Sequence, residues 1–238
     1  MLSVLTLGLL IGMRHALEAD HVAAVASMAT GSRSLRETTR LGIAWGMGHT
    51  VTLFVIGTAV LLLDTIVPET LAKGLELAVG VMLLGLGLDV LRRLIRDGIH
   101  FHIHHHNGER HVHAHGHRAP VVIHDMDAHR HGHRQPIPWR ALFVGLVHGL
   151  AGSAALVLLA LSTIHSVWQG IVYIALFGIG SILGMAILSV VIAIPLRYAA
   201  DRAAWFYKGL SLSIGVLTTI LGATIIWQQG FAEGGLLS

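Results

Sequence analysis

The sequence predicts an all-α polytopic membrane protein whose six transmembrane helices form two inverted three-helix repeats. Three observations lead to this fold class: the composition, six long apolar runs, and an ordered similarity between the two halves of the chain. Of the 238 residues, 54% are hydrophobic and 12% are charged, whereas soluble domains have about 25% charged residues. The mean hydropathy of +0.71 is likewise typical of a protein that lies largely in lipid.

The apolar runs are long enough to cross a bilayer, since a membrane-spanning helix needs about 20 mainly apolar residues. The predicted spans are residues 3–30, 39–63, 71–94, 139–164, 167–195 and 204–227. They divide the chain into a first three-helix repeat (1–96), a histidine-rich loop (97–138) that we expect to be disordered, and a second three-helix repeat (139–238).

The basic residues lie on one side of the predicted membrane. The connections after spans one, three and five carry 14 of the 16 Lys and Arg residues, and the positive-inside rule makes these connections cytoplasmic. We therefore expect a multi-pass plasma-membrane protein with both termini outside and the histidine-rich loop in the cytoplasm. This placement accounts for the pI of about 9.8 with the lipid bilayer as partner and without nucleic acid.

The two halves of the sequence resemble each other in three spans. RHALEADHVAA in span one aligns with VHGLAGSAALV in span four, which pairs His15 with His148, and GMGHT in span two aligns with GIGSI in span five, which pairs His49 with Ser181. Spans three and six share GVMLLGLG and GVLTTILG. Because each repeat has an odd number of spans, the halves insert in opposite orientations, as in many secondary transporters. The alternative is chance similarity among glycine-rich apolar helices.

Ionisable residues interrupt the first span, where GMRHALEADHVAAV contains His15, Glu18, Asp20 and His21. Such groups are costly in hydrocarbon and by default mark a substrate or ion path. Imidazole and carboxylate suit divalent first-row metals, and the absence of cysteine excludes thiolate ligands. On a regular helix Asp20 turns away from the face that carries the other three. We therefore expect a local distortion or a contribution from the N-terminal end of the chain, although Asp20 could instead support the ligands from behind or pair with Arg14.

Two further histidines lie within predicted spans. His49 follows Gly46 and Gly48, which leave room for an ion or a neighbouring helix, and we predict that it is a metal ligand. For His148 the choice between a ligand and a hydrogen-bonded core residue stays open. The predicted metal residues are thus His15, Glu18, Asp20, His21, His49 and His148.

The loop at 97–138 contains 13 of the 18 histidines. Tracts of this composition are typically disordered and bind metal, and many weak imidazole sites act together. We predict that the loop buffers, receives or senses metal; a solvated linker is the alternative. The histidines are His100, His102, His104, His105, His106, His111, His113, His115, His117, His124, His129, His131 and His133.

These motifs resemble the nickel/cobalt transporter family. RHALEADHVAAV matches its His-x4-Asp-His signature and GMGHT resembles the LGHS-type element of its next span. The six-span length and GLVHGLAGSAAL are more similar to the short UreH-type branch. The resemblance implies high-affinity uptake of Ni²⁺ or Co²⁺, with His15, Asp20, His21 and His49 handling the metal. The ion is then the substrate, no cofactor is expected, and a cytoplasmic metallochaperone is a candidate partner.

Other functions remain as alternatives. Histidine-rich loops also resemble those of nickel/cobalt efflux proteins, in which the loop would collect metal from the cytoplasm. Span four has GLAGSAA where eight-span relatives carry acidic residues, so the ligands of the second half stay open. A zinc transporter and a membrane metalloenzyme are less favoured. An enzyme is not expected, because LEADH is not HExxH and no nucleotide-binding GxxxxGK[ST] motif occurs.

Overall fold

The computed structural model describes residues 2–32, 34–63, 68–96, 100–106, 109–115, 138–150, 166–202, 204–232 and 234–236. Within these residues the chain forms seven helices and one two-stranded sheet. The elements are α1 (Leu2–His15), α2 (Ala19–Ala29), α3 (Leu35–Leu63), α4 (Glu69–Arg96), β1 (His100–His106), β2 (Glu109–His115), α5 (Trp139–Gly149), α6 (Val167–Arg202) and α7 (Ala204–Gly230).

Four of the helices, α3, α4, α6 and α7, are long and apolar enough to cross a membrane. The predicted first span consists of two shorter helices, α1 and α2. The predicted fourth span begins as α5, and its remainder at 151–164 lies outside the described residues. The structure is thus that of a helical membrane protein, and the count of six spans stays a prediction.

The outer surface of the helices is apolar. Leu10, Val55, Ile194 and Leu217 are all more than half exposed, although burying such side chains from water is favourable by about 1.5–3 kcal/mol each. A bilayer provides the apolar surroundings that these side chains otherwise lack.

Tryptophans mark the ends of the membrane helices. Trp139, Trp168 and Trp205 lie at or next to the starts of α5, α6 and α7, and Trp227 lies near the end of α7; all four are exposed. Tryptophan is enriched at both membrane interfaces, where its amphipathic ring sits at the level of the headgroups. The fifth, Trp45, is fully buried.

Close helix contacts organise the interior. The most extensive pair α4 with α7, α3 with α6, α3 with α5, and α1 with α6. Small residues such as Ala16, Ala24 and Ala44 lie in the central cluster with Trp45 and Met185. Small side chains let helix backbones approach closely in lipid, and the broken helix α1–α2 thereby contacts α3, α6 and α7.

Two sequence expectations differ from the structure. Helix α6 continues through Pro195 to Arg202 instead of ending at the proline; membrane helices tolerate proline because neighbouring groups satisfy the freed carbonyls. Part of the loop expected to be disordered forms a hairpin, with His102 opposite His113 and His104 opposite His111. The reason is the alternation of histidine with apolar residues at 100–104 and 111–115, a period of two that favours a strand.

Candidate metal site

The chain breaks its first membrane helix at the ionisable motif. Helix α1 ends at His15 and α2 begins at Ala19. Between them, the Leu17 N–H donates to the Arg14 carbonyl (2.9 Å) and the Glu18 N–H donates to the His15 carbonyl (3.0 Å). These are tight turns rather than α-helical hydrogen bonds, and Glu18 has extended backbone angles. The distortion predicted from the sequence is confirmed, and it lets His15 and Asp20 approach the same region.

Four buried imidazoles meet at this break. His15, His21, His49 and His148 are each at most 2% exposed. The ring centroid of His21 lies 4.3 Å from those of His15 and His148 and 5.1 Å from that of His49. The rings come from α1, α2, α3 and α5, so only the folded helix bundle brings them together.

The donor atoms form two overlapping groups. In the first group, one ring nitrogen from each of His15, His21 and His49 lies within 4.8 Å of the other two. In the second group, a carboxylate oxygen of Asp20 and one ring nitrogen each of His21 and His148 lie within the same distance of one another. His21 belongs to both groups. Nitrogen ligands on one tetrahedral ion lie about 3.4 Å apart, so small side-chain rotations could close either group around an ion. The structure does not bring Asp20 into the group that contains His15 and His49.

Asp20 is fixed by the two histidines beside it. Its Oδ1 accepts hydrogen bonds from the His21 backbone N–H (2.8 Å) and from His21 Nδ1 (2.9 Å). Its Oδ2 lies 3.2 Å from His148 Nε2. A carboxylate in this position orients imidazoles and raises their basicity as ligands. Asp20 can therefore serve as a ligand or hold His21 and His148 for one.

Glu18 lies at the edge of the site. Its Oε1 is 2.9 Å from His15 Nδ1, and its side chain is 43% exposed. It is the most accessible of the predicted metal residues that the structure describes.

Several nitrogens of the cluster have no hydrogen-bond partner among the described residues. They are His15 Nε2, His21 Nε2, both ring nitrogens of His49, and His148 Nδ1. A buried polar atom left unpaired costs about 1–3 kcal/mol, and such atoms are few in native proteins. Several such atoms in one place are typical of a ligand-binding site.

Two helix ends also favour a cation here. His15 is the last residue of α1, and His148 lies in the last turn of α5. The carboxyl end of a helix carries roughly half a negative charge, and interrupted membrane helices use such ends to coordinate cations.

Trp45 of α3, which was not among the predicted site residues, packs against the cluster. Its ring centroid lies 5.3 Å from that of His21 and 5.4 Å from that of His148. The available signal was its position four residues before His49, which puts both side chains on one helix face.

A cavity of about 230 Å³ reaches the cluster. It is lined by four of the predicted metal residues that belong to the cluster: His15, Asp20, His21 and His148. Glu18 lines it as well, together with Glu76 and Gln229, which the sequence analysis did not single out. Five of the loop histidines lie outside the described residues: His117, His124, His129, His131 and His133. Those of the hairpin are described only by their backbone pairing.

The chain is similar over nearly its whole length to a protein named urease accessory protein UreH from Bacillus sp. (strain TB-90). The two are 34% identical over 234 residues, which cover 98% of this chain and 95% of the relative. No protein-family model matches the chain. No solved structure matches it either.

Proposed function

This chain belongs to the family of the urease accessory protein UreH, and we propose that it carries Ni²⁺ or Co²⁺ across a membrane, with uptake as the direction. The observation that carries the proposal is the convergence of four buried imidazoles and Asp20 on a broken membrane helix. Imidazole nitrogen with one carboxylate suits nickel, cobalt and zinc better than calcium or magnesium. Urease accessory function in the relative favours nickel among these.

The position of these residues favours transport over permanent metal binding. We refer to His15, Asp20, His21, His49 and His148 as the histidine site. It combines a helix interruption with a cavity on one side, the arrangement by which transporters hold an ion near the bilayer midplane. An ion that exchanges its water shell for imidazoles must still be able to leave, so an incomplete ligand set that closes by small rotations suits passage.

The proposal includes two inverted repeats that move around the histidine site. In the sequence alignment Gly145 is the equivalent of Gly12, and Phe177 is the equivalent of Trp45. A Cβ atom added at Gly12 would lie 2.0 Å from the Phe177 carbonyl oxygen, and one added at Gly145 would lie 2.0 Å from the Trp45 carbonyl oxygen. The two halves thus exchange the same backbone contact.

A second pair of contacts follows the same alignment. A Cβ at Gly48 would lie 2.2 Å from the Leu142 oxygen, and one at the equivalent Gly180 would lie 2.1 Å from the Leu9 oxygen. Between α4 and α7, Gly87 approaches the Gly215 oxygen, and Gly222 approaches the Gly80 oxygen (2.9 and 2.7 Å from the added Cβ). These reciprocal contacts support a two-fold relation between the halves, which in an inverted repeat lies in the membrane plane.

The proposed orientation puts both termini outside and the histidine-rich loop in the cytoplasm. The distribution of Lys and Arg supports it. Imported metal then reaches the loop histidines first, and from there a cytoplasmic metallochaperone could take it. Efflux, with the loop as collector, is the alternative.

The test is ⁶³Ni²⁺ accumulation in cells that express the chain, beside an Asp20→Asn variant at equal membrane abundance and beside empty cells. Uptake predicts accumulation above that of empty cells, increased sensitivity of growth to nickel, and loss of both effects in the variant. Accumulation below that of empty cells, with protection of growth, means efflux. No difference for either Ni²⁺ or Co²⁺ contradicts the proposed substrates.

A further inference from the structure

The cavity that reaches the histidine site is lined by an acidic residue that lies outside the sequence motifs. We propose that this cavity is the outer vestibule of the ion path and that Glu76 captures the divalent cation there before it reaches the histidines. The inference rests on the proposed transport function and adds a binding residue to it. We call the cavity between the α1–α2 break, α4 and α7 the outer vestibule.

The outer vestibule runs from the histidine site towards one end of the bundle. Its lining includes His15, His21 and His148 of the histidine site and, from α4 and α7, Glu76 and Gln229. Glu76 is in the first third of α4 and Gln229 is next to the last residue of α7. In the orientation favoured by the basic residues, both of these helix ends lie on the outer side of the membrane.

Its charge favours a cation. Glu18, Asp20 and Glu76 are carboxylates, and no Lys or Arg is among the described residues that line it. Clefts with low-dielectric walls and charge of one sign concentrate ions of the opposite sign. The nearby Lys73 is engaged elsewhere, since its Nζ lies 2.5 Å from Glu69 Oε1 and donates to the Gly234 carbonyl at 2.7 Å.

A neighbouring amide holds the Glu76 carboxylate in place. Gln229 Nε2 donates a hydrogen bond to Glu76 Oε2 and so links α7 to α4. The other oxygen, Oε1, has no hydrogen-bond or ion-pair partner among the described residues. Glu76 is therefore positioned at one oxygen and available to a cation at the other.

The unpartnered imidazole nitrogens are the independent sign that the vestibule serves a ligand. His21 Nε2 and His148 Nδ1 belong to side chains that line the cavity, are at most 2% exposed and lack partners among the described residues. A cation that meets Glu76 thus has a second, stronger set of donors ahead of it. The ion would meet the Glu76 carboxylate first and the buried imidazoles second, and it would lose more of its water shell at each step.

The opposite end of the bundle is packed. Ser27 Oγ and Thr218 Oγ1 lie 3.0 Å apart, and the Tyr207 hydroxyl donates to the Thr30 carbonyl at 2.6 Å, so that α2 is tied to α7 below the site. Two separate cavities lie at that end: one is lined by Arg93 and Arg140 together with Asp89, which pairs with Arg93, and the other is lined by Arg197. Neither is lined by a residue of the histidine site, and the net positive charge of the described residues that line each disfavours a divalent cation. The structure therefore has its access on the Glu76 side.

The first experiment needs no transport activity. The chain has no cysteine, so Gln228→Cys places a single thiol at an exposed position of the outer vestibule, and Ala200→Cys places one at an exposed position of a cavity at the opposite end. We expect a membrane-impermeant thiol reagent to label the first variant in intact cells and the second only after permeabilisation. Ni²⁺ should slow labelling of Gln228→Cys at least threefold, and adding Glu76→Gln should remove that protection. Labelling of Gln228→Cys only after permeabilisation, or labelling unaffected by Ni²⁺, overturns the inference.

The second experiment measures ⁶³Ni²⁺ transport as a function of nickel concentration. For Glu76→Gln we expect the half-saturating concentration to rise about three- to tenfold, where tenfold corresponds to about 1.4 kcal/mol, with the maximal rate unchanged and Glu76→Asp close to wild type. Glu37→Gln is the control, because it removes the same charge from a residue of α3 that does not line the vestibule and leaves the Lys73–Glu69 ion pair intact. Equal half-saturation in Glu76→Gln and Glu37→Gln overturns the role of Glu76. If the wild type moves no nickel, the transport proposal fails, whereas the thiol labelling still tests the vestibule.

Discussion

The Gly145 contact between α5 and α3 allows a quantitative prediction about the histidine site. A Cβ at Gly145 would lie 2.0 Å from the Trp45 carbonyl oxygen and 3.0 Å from the His49 nitrogen. Carbon–oxygen contacts between helices ordinarily span about 3.3 Å. In Gly145→Ala the two helices must therefore separate locally by about 1.3 Å, measured against that contact distance. Both atoms in contact are backbone, so no side-chain rotation can relieve the clash.

The expected effect combines a stability term and a binding term. Overpacking of this kind destabilises by about 1–3 kcal/mol. His148 lies three residues after Gly145, so the separation also moves its ring away from that of His49 on α3, whose centroid lies 5.7 Å away. Metal sites tolerate errors of only about 0.2 Å in ligand distance. We therefore expect Ni²⁺ affinity to fall at least about tenfold, a loss of about 1.4 kcal/mol.

The assay is thermal unfolding of the purified protein in detergent with and without Ni²⁺, together with equilibrium dialysis of Ni²⁺. At a nickel concentration of 100 times Kd, binding stabilises the wild type by about 2.7 kcal/mol, and this increment should largely disappear in Gly145→Ala. Gly85→Ala is the matched control, because no atom lies within 4 Å of a Cβ at Gly85. If the two variants bind nickel equally, the close approach does not position the histidine site and the reasoning is refuted.

Two further predictions concern the acid and the loop. Asp20→Asn should abolish nickel transport while the protein remains inserted, because a neutral amide orients His21 and His148 differently from a carboxylate. Membrane abundance by immunoblot is the control, and transport at the wild-type rate contradicts the prediction. Deletion of residues 100–133 should change the apparent affinity or regulation of transport and leave flux intact, because the histidine site lies entirely outside the deleted segment; complete loss of flux with normal insertion contradicts the buffering role.

Much of the site follows from local sequence. The helix break could be predicted because one regular helix cannot direct both His15 and Asp20 to the same region. That the rings of His49 and His148 lie close together could not be derived from local sequence. Their proximity depends on the crossing of α3 and α5 at Gly145. The sequence does show that both histidines lie in the middle of predicted spans, where an imidazole needs either a hydrogen-bond partner or a ligand.

The remaining features depend on long-range packing. Glu76 is one of several acids near the ends of predicted spans, where a carboxylate is ordinarily solvated, and nothing local distinguishes it from Glu69. Only the packing of α4 against α7 brings it to Gln229 and to the cavity. The hairpin β1–β2 was missed for the opposite reason, since its period of two is local but was outweighed by composition.

In the proposed mechanism the buried histidines lie on the ion path, and His21 is the residue to change because it belongs to both groups of donors. The measurement is Ni²⁺ entering proteoliposomes that contain wild type, His21→Ala or Ser189→Ala at equal protein content, followed with a trapped nickel-sensitive dye. Ser189 is a buried hydroxyl of α6 that hydrogen-bonds only to the Met185 carbonyl among the described residues and is not part of the site. We predict flux for wild type and Ser189→Ala and none for His21→Ala. Undiminished flux in His21→Ala would contradict this mechanism.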